Sequence, residues 1–214
     1  MRGPVLALAV FLLPAAAVAG EADLNRQLLN AARHGDAASV ARLLSEGAAV
    51  NSRNRFGDSP LLIATKNGNL QMVRMLLAHK ADVNLANLQK VTPLMAAAFN
   101  GHLESAKLLL QHGADRTAKD HLHKTAMVYA AGQGQTEIVR LLLAAGEKPT
   151  ARYENDLTAL MWAAGYGQTR TVELLLESGA DVSARDNRGN TALTIAEQAG
   201  KADVVTILKR RGAR

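Results

Sequence analysis

The chain of 214 residues is predicted to be all-α, a solenoid of about six 33-residue helix-turn-helix units joined by short hairpin-like loops. Three observations predict it. Glycine recurs as Gly35, Gly68, Gly101, Gly134, Gly167 and Gly200, a constant spacing of 33. The pairs Leu43-Leu44, Leu76-Leu77, Leu109-Leu110, Leu142-Leu143 and Leu175-Leu176 keep the same register, as do Val40, Val73, Ala106, Val139, Val172 and Val205. An alanine stands upstream of each glycine: Ala31, Ala64, Ala97, Ala130, Ala163 and Ala196. A unit of this size cannot bury its apolar surface alone, so the units must stack. The array fills the chain from about residue 21 onward and leaves no stretch for a second domain.

The segment before the array has its own pattern. Arg2 precedes an apolar run from Val5 to Ala19, which closes on Ala17-Val18-Ala19 before Gly20. A charged start, a short apolar stretch and small residues at minus three and minus one describe a secretory signal peptide. At about 15 residues the run falls short of the 18 or more that a membrane span needs. Residues 1–19 are therefore expected to be a signal peptide cleaved after Ala19, and residues 20–214 the repeat domain. With no cysteine in the chain, neither a lipid-modified cysteine nor a disulfide is available, and a stack of this size needs no disulfide.

Within a unit the third repeat reads most plainly. Thr92 suits a helix N-cap and Pro93 the first helical position, where no N–H is needed. Gly101 closes that helix, because glycine enters the left-handed region without steric cost. A second helix follows from His102 to Gln111, with Leu103, Ala106, Leu109 and Leu110 on one face. Gly113-Ala114-Asp115 then opens the loop to the next unit.

These residues resemble the ankyrin repeat family. Ser59-Pro60-Leu61, Thr92-Pro93-Leu94, Thr125-Ala126-Met127, Thr158-Ala159-Leu160 and Thr191-Ala192-Leu193 match its Thr-Pro-Leu opening. Ala81-Asp82-Val83-Asn84, Gly113-Ala114-Asp115 and Gly179-Ala180-Asp181-Val182 match its closing motif. The tryptophan, tyrosine and phenylalanine markers of the helical repeat with a period of roughly 34 are absent. Departures carry information. The family's histidine after the opening is replaced by Leu62, Met95, Val128, Met161 and Thr194, which makes the seam between repeats more apolar. Lys80 stands at a glycine position, a cost on the order of 1 kcal/mol. Gly146-Glu147-Lys148-Pro149 departs furthest, so the junction before the fifth repeat is expected to bend or loosen. Arg26 in place of threonine and the polar end Leu208-Lys209-Arg210-Arg211 mark the first and last units as caps.

No catalytic constellation emerges, and no enzyme activity, cofactor or metal is expected. Gly57-Asp58-Ser59 looks like an esterase nucleophile block, but Ser59 sits at the helix-capping position. Gly132-Gln133-Gly134 and Gly165-Tyr166-Gly167 follow no strand and read as turns rather than phosphate loops. His121 and His123 share a loop tip without further placed ligands. Trp162, inside a first helix, reads as core.

The formal charge is +6, or +5 once Arg2 leaves with the signal. Such a balance suits nucleic acid or an anionic membrane surface. Export and an aromatic content of 3% argue against nucleic acid. Cations at a helix C-terminus complement its dipole, which accounts for Lys209, Arg210, Arg211 and Arg214. The simplest address is the bacterial periplasm.

The resemblance implies a non-catalytic protein-binding module that uses loop tips and the concave side of the first helices. The residues at those places are Arg53, Arg55, Phe56 and Lys66, then Leu88, Val91 and Phe99. They continue through Lys119, His121, Leu122 and Lys124 to Arg152, Tyr166, Arg185 and Arg188. Read together they form an apolar strip flanked by cations, with only Asp58 and Glu154 opposed. The expected partner is a periplasmic protein with an apolar ridge bordered by carboxylates, held by a monomer. Two other readings compete. In one, the chain is an adaptor docked on an anionic membrane; in the other, these side chains pack on neighbouring tips and bind nothing.

Overall fold

Five capping hydroxyls set the rhythm of the fold. In the computed structural model, which describes the backbone of residues 15–213 and side chains from residue 20, Ser59, Thr92, Thr125, Thr158 and Thr191 each accept from a backbone N–H three residues on. Each therefore satisfies one of the orphan donors at the start of a helix. The expected signal segment lies outside the described residues, apart from the helical backbone of 15–19.

The first helices of the units are α1 (Ala15–His34), α3 (Pro60–Lys66), α5 (Pro93–Asn100), α7 (Ala126–Gly132), α9 (Ala159–Tyr166) and α11 (Ala192–Gln198). The second helices are α2 (Ala37–Ser45), α4 (Leu70–Ala78), α6 (Leu103–Gln111), α8 (Thr136–Ala144), α10 (Thr169–Glu177) and α12 (Ala202–Arg210). First helices pack on first helices along the chain, and second on second, which gives two layers of antiparallel pairs. No strand occurs among the described residues; the one ladder contact is an antiparallel bridge between Arg152 and Thr158. The turn glycines Gly35, Gly68, Gly101, Gly134, Gly167 and Gly200 all stand at φ between 66° and 78°. That is the left-handed region, which glycine occupies without a Cβ clash.

The core is continuous from Leu28 to Leu208. The apolar substitutions after the repeat opening fill it: Leu62, Met95, Val128 and Met161 are all buried. Arg26 cannot cap a helix and instead pairs with Asp23, so α1 runs through it. The expected cleavage after Ala19 falls in this upstream extension, well before the buried Leu28, Leu29 and Ala32.

Four of the five loops between repeats form a tight tip organised by one side chain. Asn54 Oδ1 accepts from Phe56 N and Asp58 N, Asn87 Oδ1 from Gln89 N and Val91 N, Asp120 Oδ1 from Leu122 N and Lys124 N, and Asp186 Oδ1 from Arg188 N and Asn190 N. The fifth repeat has Tyr153 at this position, and a phenol cannot close the ring. Its hydroxyl donates instead to Glu147 Oε1 at 2.7 Å, and the tip becomes a short 3₁₀ turn, Glu154–Asp156, with positive φ at Asn155 and Asp156. The irregularity expected at Gly146-Glu147-Lys148-Pro149 therefore sits further on. Glu147 N still donates to the Leu142 carbonyl at 3.1 Å, as Ala114 N does to Leu109 one repeat earlier, and α7 still packs on α9.

Candidate partner-binding face

Several of the expected cations are held by the tips themselves. Arg53 donates to the Gly57 carbonyl at 3.0 Å and to the Ala86 carbonyl of the next repeat. Arg152 repeats this contact one tip before the last, donating to Arg185 O at 2.8 Å, and Arg185 donates to Gly189 O at 2.7 Å. Their charge remains exposed, but their geometry serves the stack. Lys66 pairs with Asp58 at 2.9 Å, and Asn87 Nδ2 donates to the same carboxylate oxygen at 2.8 Å. The cation-flanked strip is thus partly self-neutralised. Arg55 lies 4.7 Å from the Phe56 ring, while Lys119 and Arg188 are exposed.

The tips also tie to one another. Leu88 N donates to Phe56 O and His121 N to Gln89 O, each at 3.1 Å, and His121 Nε2 donates to Leu88 O at 2.8 Å. His121 is therefore a tip clamp. His123 stands 3.8 Å from Glu154, and no group of three or more potential metal ligands occurs among the described residues. Phe56 and Leu88 wall one recess with Asp58, Lys66, Asn87 and Gln89. Leu122 projects outward, whereas Val91 departs from the expected strip: it is half buried and packs against the core. Ser59 is buried and caps α3, with its Oγ accepting from Leu62 N at 3.1 Å.

The middle of the face holds an aromatic row. Phe99 meets Tyr129 edge-on with centroids 5.6 Å apart, and Trp162 stacks on Tyr166 at 6.2 Å. Between these pairs lies Lys124, its Nζ 5.6 Å from the Tyr129 centroid and 5.0 Å from that of Trp162. The Tyr129 hydroxyl donates to Asp120 Oδ2, the carboxylate that also closes the fourth tip. Partial burial and that carboxylate push the Tyr129 phenol well above its ordinary range, so it stays a neutral donor. Lys124 makes no ion pair among the described residues.

The sequence reading placed Phe99, Lys124 and Tyr166 here and missed Tyr129 and Trp162. Trp162 is half buried at the edge of the face rather than in the core. The signal was present in the spacing: Tyr129 and Trp162 each stand four residues after a capping threonine, and Tyr166 four further on, which is one helix face. Gly132 and Gly165 leave room beside them. A Cβ on Gly132 would meet the Tyr166 ring at 3.6 Å, and one on Gly165 would meet Ile195 Cγ2 at 3.0 Å. Beyond the Trp162–Tyr166 stack opens a recess of about 410 Å³, lined by Leu157, Met161, Gly165, Ile195, Gln198 and Ala199 as well as the two rings.

This arrangement offers apolar contact and one unpaired cation, with no nucleophile set beside a base. Among curated proteins no relative matches the chain. The family model described as ankyrin repeats, three copies, matches residues 28–120, 101–153 and 127–214, which together reach from the buried part of α1 past the end of α12. Two layers of helix pairs, capping hydroxyls in register and matches over most of its length agree: the chain belongs to the ankyrin repeat family.

Proposed function

We propose that this protein is a non-catalytic monomer that holds a partner protein against the tips and first helices, the concave side in its family, in an extracytoplasmic compartment. Ankyrin repeats are protein–protein interaction modules, and the family is generally a non-catalytic scaffold. One observation supports the finer reading. The large apolar side chains left exposed among the described residues are Phe56 (53%), Leu88 (61%), Phe99 (46%), Leu122 (65%) and Tyr166 (53%), and each stands on a tip or on a first helix. Clustered exposed apolar area costs solubility and marks an interaction surface. It also counts against the tips merely packing on each other.

The cations around it that make no ion pair among the described residues, Arg55, Lys119, Lys124 and Arg188, favour a partner whose apolar ridge is bordered by carboxylates. The periplasmic address rests on Arg2, the apolar run and Ala17-Val18-Ala19. Membrane docking draws less support, because the basic C-terminal helix is partly neutralised: Lys209 pairs with Glu197 at 3.0 Å and Arg211 approaches Glu177 at 3.6 Å.

The test is retention of a partner from periplasmic extract by residues 20–214, at low and high salt. The double change Arg55→Glu with Lys124→Glu is expected to abolish retention and to move Tm by no more than about 3 °C. Retention unchanged by both substitutions overturns the assignment of the face. Binding to anionic vesicles in place of a protein would transfer the basic residues to membrane docking.

A further inference from the structure

We infer that the partner is gripped through one short segment in which a carboxylate side chain and a bulky apolar side chain stand about three residues apart. The inference rests on the proposed binding face and names what fits its centre. Lys124 is the anchor for the carboxylate. Its ammonium is held over two aromatic faces, at 5.0 Å from Trp162 and 5.6 Å from Tyr129, with no carboxylate of its own among the described residues. A cation positioned beside apolar surface is less screened than one in open solvent, so an incoming carboxylate gains more from it.

The apolar side chain belongs in the recess beside the Trp162–Tyr166 stack. Its lining includes the less exposed Met161, Gly165 and Ile195, which we take as its floor, and the exposed Gln198 and Ala199, which form its rim. Gly165 lies inside α9, where glycine is less favourable than alanine. A Cβ there would press on Ile195 and raise the floor. The ammonium lies 5.0 Å from the indole centroid, and Trp162 and Tyr166 line both the recess and the neighbouring hollow that contains Lys124, which itself does not line the recess. A segment that reaches from the ammonium past the indole into the recess needs about three residues of extended chain at ~3.3 Å each.

Trp162 is the chain's single tryptophan and forms the wall between the two subsites, so its fluorescence reports occupancy directly. The experiment pans a random twelve-residue peptide library on the intact chain. The best peptides are then titrated, in acid form and with the acid replaced by its amide, against Trp162 emission. Enriched peptides are expected to carry Asp or Glu about three residues from a large apolar residue. The amide form should bind wild type about 10-fold more weakly, the loss of one charge-assisted contact. Lys124→Gln should weaken the acid peptide to the same extent and erase its advantage over the amide. Ala199→Leu, at an exposed position with a helical φ, should narrow the recess and weaken both peptides equally.

Equal binding of acid and amide peptides to wild type, an acid preference that survives Lys124→Gln, or a library that yields no binder overturns the inference. Peptides that alter Trp162 emission without an acid preference do so while leaving the binding face in place. Peptides that leave Trp162 silent and are indifferent to both Arg55→Glu and Lys124→Glu overturn the face as well.

Discussion

Lys80 stands at φ 62°, where the equivalent residues of the other repeats are Gly47, Gly113, Gly146, Gly179 and Gly212. A side chain in the left-handed region crowds its own backbone. Lys80→Gly is therefore expected to stabilise the protein by about 0.5–1 kcal/mol in urea denaturation, despite the larger entropy of glycine in the unfolded chain. Glu147 makes a second prediction at this scale. Burial raises its pKa above the ordinary 4.5, and the Tyr153 hydroxyl and Arg116 only partly offset that. An acid raised in the folded state favours folding most when protonated. Its contribution is full below pH 4.5 and is lost as pH rises through the folded value. Glu147→Gln keeps an acceptor for Tyr153 and cannot ionise, so its Tm relative to wild type should rise from pH 4 to pH 7. A difference independent of pH would show that Glu147 is not the titrating group. Lys80 was legible in the sequence because its strain is local and the register points to it. For Tyr129 and Trp162 the spacing shows the shared helix face but not their partial exposure, which depends on how the neighbouring repeats pack against them.

At the scale of the element, the tip and the first helix of the fourth repeat are joined by one carboxylate. Asp120 accepts from Leu122 N at 2.8 Å, from Lys124 N at 2.9 Å, and from the Tyr129 hydroxyl on α7, and it is itself only 5% exposed. Removing it leaves those donors unmet in a half-buried place. Asp120→Ala is expected to cost about 2–3 kcal/mol in urea denaturation, while Asp120→Asn, which can still accept, should cost about 1 kcal/mol. Equal costs would mean that the carboxylate acts through packing alone. Helices and their ends were read well from the chain, since Ser59, Thr92, Thr125, Thr158 and Thr191 announce each start and a glycine closes each turn. The hydrophobic period predicts the tips only as loops. Their order comes from the Asn or Asp that recurs at 54, 87, 120 and 186, a signal carried by one position per repeat rather than by hydrophobic period. The same gap explains why Arg53 and Arg152 looked free: their acceptors are backbone carbonyls of the adjoining tip, which side-chain chemistry alone does not reveal.

Across the whole molecule, stability in a stacked array is a sum of units and of the contacts between neighbours, so a weak seam is felt locally. The helix layers show no such seam, with α5 on α7, α7 on α9 and α9 on α11 packed alike. The tips do. Leu88 N bonds to Phe56 O, His121 N to Gln89 O and Asn187 N to Asn155 O, whereas the counterpart from Glu154 N to Leu122 O is not made. What crosses there is the 3.8 Å approach of His123 to Glu154, between two exposed side chains. The cause is Tyr153, which turns toward Glu147 and leaves the fifth tip without its ring of hydrogen bonds. This seam lies beside Lys124 and Trp162, so the partner segment proposed above would bridge the two halves of the tip row. Amide hydrogen exchange should therefore find Glu154 N–H exchanging at least ~10-fold faster than those of Leu88, His121 and Asn187, which sit in made bonds. Peptide binding should slow exchange at Asn155 and Asp156 while leaving Leu88 unchanged. Uniform protection along the four tips would mean that the missing bond is replaced in solution and that the fifth tip is as firmly held as the rest.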